Sequence, residues 1–203
     1  MASNTNDNYG LFWNSQGGDR KYDADSFGRW ASKFMTTGVF TGDCEVTPKT
    51  NAMAVYVAPG FINIINENAL DKNAKILILD EQKELVLDMA DSLNPRIDTV
   101  VIERNDNERM MTVKIVTGTP AATPTPNTPV RTDSVYQLVL AEIYVSAGAT
   151  SITSDKITMK RDDPTVCGII TGTVFNDQIT YGTTDLTPGV SELADGTFYF
   201  VFE

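Results

Sequence analysis

The spacing of hydrophobic and polar positions changes once along this chain, near Gly42. Before it, Phe27, Trp30, Ala31 and Phe34 recur at i, i+3, i+4 and i+7, one face of a helix. Asp23 is a natural N-cap, Asp25 adds negative charge to the first turn, and Tyr22 and Phe27 occupy the two positions of a hydrophobic staple. Gly38 falls where a glycine ends a helix. The pattern predicts an amphipathic helix over residues 24–37. Its aromatic stripe is expected to be shielded from water in the core or at a subunit contact, in preference to serving as a sugar platform. A short aromatic cluster, Tyr9, Leu11, Phe12 and Trp13, precedes it.

Beyond Gly42 the period becomes two. Met53, Val55 and Val57 alternate with Ala54, Tyr56 and Ala58 up to a turn at Pro59-Gly60. Residues 61–65 (FINII), 76–79 (ILIL) and 85–87 read as further strands, separated by Asn- and Asp-rich turns. Residues 88–94 fit either one helical turn or a loop before Pro95. Residues 97–103 and 111–117 form a predicted hairpin around Asn105-Asp106-Asn107. Pro120, Pro124, Pro126 and Pro129 then exclude both helix and interior strand, so an extended surface crossing is expected. Residues 136–145 contain helix formers, but Ile143-Tyr144-Val145 favours a strand. Shorter β-like pieces follow at 156–160, 179–181 and 198–202. The expected fold is mainly β, an antiparallel β-sandwich or barrel-like domain with an N-terminal amphipathic helix. Residues 1–40 read as a docking segment, 41–172 as the β domain and 173–203 as a C-terminal extension.

Composition bears on chemistry more than on fold. The 203 residues carry a net charge of −11 with no basic stripe, which argues against nucleic acid as a partner. No apolar run approaches the roughly 20 residues of a spanning helix, so no membrane insertion is expected. The N-terminus lacks the basic and apolar regions of a signal peptide, and synthesis is expected to end in a cytoplasm. Histidine is absent, which removes the usual general base and the commonest transition-metal ligand. Cys44 and Cys167 are expected to be buried thiols. The acidic pairs Asp23/Asp25, Asp88/Asp91 and Asp162/Asp163 do not by spacing make two carboxylates that face across a bond. Residues 105–108 lack the spaced ligands of a calcium loop, and Gly17-Gly18 lacks the lysine of a phosphate loop. With no CxxC, HExxH or GxSxG, the expectation is no enzyme, no cofactor and no metal.

Four separated pieces carry a resemblance: residues 18–40 (GDRKYDADSFGRWASKFMTTGVF), 94–105 (NPRIDTVVIERN), 117–152 (from TGTPAATPTPNTPVRTDS to the end of VYQLVLAEIYVSAGATSI) and 157–172 (ITMKRDDPTVCGIITG). In this order and spacing the chain resembles tail and baseplate structural proteins from phages and prophages of Gram-positive hosts. The resemblance implies an N-terminal module of a baseplate or receptor-binding protein that docks on a tail tip, in a homo-oligomer, by resemblance a trimer. It implies no catalytic residues. The chain departs from the longer members by ending at Glu203, which favours an adaptor or baseplate subunit over one that binds the host receptor itself.

The candidate interface follows from the aromatic segments. Phe198, Tyr199, Phe200, Val201 and Phe202 place apolar groups on both faces of a strand, which therefore needs cover on both. Phe12, Trp13, Trp30, Phe34, Phe198, Phe200 and Phe202 are the expected contact residues, toward other copies or other tail proteins. The alternative is a carbohydrate-binding module for host cell-wall glycans, with Trp13, Trp30, Tyr56, Tyr144, Tyr181 or Tyr199 as the sugar platform.

Overall fold

A computed structural model describes residues 24–70 and 72–171, and the backbone of two short strands beyond them. The fold is mainly β and sandwich-like, with one short α-helix among the described residues, α1 (Ala24–Ala31). One layer is built from two three-stranded sheets joined end to end. Its middle runs through β3 (Ala54–Val57) and β4 (Gly60–Ile65), interrupted at Ala58-Pro59 because proline cannot donate to a ladder. On one side lie β1 (Gly38–Val39) against β4 and β2 (Val46–Pro48) against β3. On the other lie β5 (Ala74–Leu79) against β4 and β6 (Lys83–Val86) against β3, all antiparallel, which gives the orders β1-β4-β5 and β2-β3-β6.

The second layer is a four-stranded antiparallel sheet in the order β10-β9-β7-β8. It comprises β7 (Arg96–Asn105), β8 (Met110–Val116), β9 (Val135–Val145) and β10 (Ile157–Met159). The β7–β8 hairpin matches the expected one, and the Asn105 carboxamide oxygen accepts the amides of Asn107 and Glu108 at its turn. β9 is a strand along its whole length, so tertiary pairing overrides its helix formers. Val55, Val57, Ile62 and Ile64 from the first layer pack with Val100, Ile102, Leu140 and Ile143 from the second. Residues 88–94 take no helical turn. Asp91 Oδ1 instead accepts the amides of Leu93 and Asn94.

Topology explains the proline stretch. β8 and β9 both run antiparallel to β7, so the link between them must return along the sheet. Ten residues of β7 span about 33 Å, which about 11 residues of polyproline-type chain can cover. The segment has no regular strand or helix from Thr117 to Val130. It is pinned at intervals, by the Ala121 amide to Pro95 O, Asn127 Nδ2 to Val116 O, and a reciprocal pair between Val130 and Gln137.

One side of the sandwich is closed by residues 166–170. The Val139 amide donates to Val166 O, the Val39 amide to Gly168 O and the Ile170 amide to Val39 O, which ties β9 to β1. On the opposite side β5 and β8 are each the last strand of their sheet. The remaining strands, β11 (Ile179–Gly182) and β12 (Phe198–Val201), pair in parallel.

Candidate functional site

The helix shows where the sequence expectation and the structure part. α1 ends at Ala31 rather than Thr37, because the following residues are drawn into tertiary bonds. The Thr36 amide donates to Thr171 O, and Asn63 Nδ2 donates to Thr36 O. The face that α1 buries carries Ser26, Gly28 and Ala31, not the aromatics. A Cβ at Gly28 would lie 2.9 Å from both Ala74 O and Asn73 Cβ, so the helix axis comes close to the start of β5. Lys75 Nζ and Asp25 Oδ1, 3.4 Å apart, span the same contact.

Phe27, Trp30 and Phe34 are 43%, 46% and 44% exposed, so the expected shielding within the chain is not what the fold provides. A small-residue face suits close backbone approach, and it turns the aromatic stripe outward. Trp30 and Phe34 touch, with ring centroids 5.1 Å apart and tilted. Replacing Trp30 with alanine therefore removes surface that is already half wet, and the expected cost to folding falls well below that of a buried aromatic.

The outer side of the adjoining sheet extends this character. Ile62 and Leu77 point into the core, which places their neighbours Phe61, Asn63, Ile76 and Ile78 on the other side. Ile76 and Ile78 are exposed, and Phe40 stacks on Phe61 at 5.3 Å. Sequence reasoning missed Ile76, Ile78 and Phe40 as surface residues. ILIL has no alternation from which to read a wet face. Phe12, Trp13 and Phe202 lie outside the described residues, and of Phe198 and Phe200 only the backbone is described.

Between β5 and β8 lies a cleft of about 760 Å³, lined among others by Lys75, Leu77, Arg104, Asp106 and Met111. Its buried guanidinium, that of Arg104, is already engaged. Arg104 Nη1 donates to Ile64 O and Asn73 O, and its Nε donates to Asp106. Among the paired aspartates, Asp91 and Asp163 serve turns and Asp88 bridges to the proline crossing. Asp88 Oδ2 accepts the Thr117 hydroxyl, and Asp163 Oδ1 accepts the hydroxyl and amide of Thr165, which hold its carboxyl below the usual range. Among the described residues no group of three His, Cys, Asp or Glu is placed to hold a metal, and no helix is long and apolar enough to cross a membrane.

Cys44 and Cys167 are buried and free, as expected from the sequence. Burial, aided by the Asp43 charge, pushes the Cys44 thiol up to about 11. Burial and then the neighbouring Cys44 push Cys167 up to about 12. Unfolded thiols ionise near pH 8.5. Folding therefore keeps protons on these sulfurs that the unfolded chain releases, and stability is expected to fall as pH rises from about 9 toward 11–12. Native protein at pH 8 is expected to resist a thiol reagent, with both cysteines reacting only on unfolding. Rapid labelling of folded protein would contradict this burial.

Comparison with known protein families, curated proteins and solved structures finds no match to this chain. The aromatic rings proposed from sequence as a sugar platform can be placed in part. Lys49 Nζ lies 5.8 Å from the Tyr56 ring centroid and Lys156 Nζ 5.7 Å from that of Tyr144, so each has a cation over its ring.

Proposed function

We propose that this chain is a non-enzymatic assembly subunit, a baseplate or tail-tip adaptor of a phage or phage-tail-like particle. The observation that carries the reading is the exposed apolar surface of α1, the turn after it and β5, with Phe40 against Phe61 of β4. Four aromatics and two isoleucines in water waste burial worth roughly 1.5–3 kcal/mol for each side chain that could be fully covered, which is the mark of a surface meant for a partner. The motifs at residues 18–40, 94–105, 117–152 and 157–172 supply the particle assignment by resemblance. A structural role also suits a chain with no histidine, in which Asp91 and Asp163 are held by turn hydrogen bonds. The adaptor is expected to form a homo-oligomer and to contact other tail proteins.

A saccharide-binding module draws less support. Tyr56 and Tyr144 each carry a lysine over the ring, and Trp30 is tilted against Phe34 rather than forming an open platform with it. The deciding experiment is to locate this chain in intact particles, by density or by labelling. Regular copies at the tail end are expected. Its absence from purified particles, together with tight glycan binding by the isolated protein, would replace the adaptor with the saccharide reading.

A further inference from the structure

We draw no further inference here: the strongest candidate, the exposed apolar patch on α1, the turn after it and β5, belongs to the surface already described, and nothing in the structure shows which molecule covers it.

Discussion

Arg104→Met is expected to destabilise the protein by about 3–5 kcal/mol, although the side chain belongs to no reacting group. Arg104 is only 2% exposed. From β7 it reaches across to the other layer, donating from Nη1 to Ile64 O at the end of β4 (3.0 Å) and to Asn73 O just before β5 (2.8 Å). Its Nε meets Asp106 Oδ1 at 2.7 Å. Methionine keeps most of the stem volume but donates nothing, so two carbonyls lose a donor, each worth about 1–3 kcal/mol when buried. Asp106 loses less, because its side chain is 30% exposed and water can replace the guanidinium. Urea unfolding is expected to show a lower midpoint, and hydrogen exchange a faster opening of residues 64–74. A shift worth less than about 1 kcal/mol would mean that the bridge between layers is not needed.

The strand pattern was largely legible in the sequence because each strand signal was local. Residues 97–103 and 111–117 carry β-branched runs around an Asn-rich turn, and a hairpin pairs neighbours. The crossing was legible for a negative reason, since four prolines deny ladder bonds wherever the segment lies. Arg96, Asp98 and Arg104 were not legible as core residues. A charged residue in a strand ordinarily marks a wet face, and its carbonyl partners lie in segments that only the fold brings near. The aromatic stripe of α1 was found, but its direction was not. Periodicity identifies an apolar face without saying whether the chain or another molecule covers it. The missed clue was at Gly28 and Ala31, small residues that let a helix approach a sheet closely. The exposed residues Val86, Met89 and Leu93 had no periodic signal at all, because Met89 and Leu93 sit in a loop whose shape is set by Arg96.

The second large effect is expected at Asp98, which is fully buried at the other end of β7. Its carboxylate accepts from Arg96 Nε (2.9 Å) and Nη2 (3.1 Å), and from the Gly118 amide (2.8 Å). Through Arg96 the same cluster holds Asp88 O and Met89 O, and through Gly118 it fixes the start of the proline crossing. Gly118 lies so close to the strand that a Cβ there would sit 2.0 Å from Ile97 O, so the crossing has no slack to move away. Asp98→Ala leaves a buried guanidinium without a counter-ion and an amide without an acceptor. Breaking one side of such a pair typically costs about 3–5 kcal/mol. The loss is expected to persist in high salt, because screening acts weakly on buried pairs, unlike the exposed Lys49–Glu84 pair. Asp98→Asn keeps an acceptor for Gly118 and is expected to cost less than alanine. Adding Arg96→Met to Asp98→Ala is expected to be non-additive by about 0.5–3 kcal/mol, since the second change removes the stranded charge that the first creates. Strict additivity of the two, or an Asp98→Ala protein that unfolds at the natural midpoint, would show that the cluster does not hold these segments together.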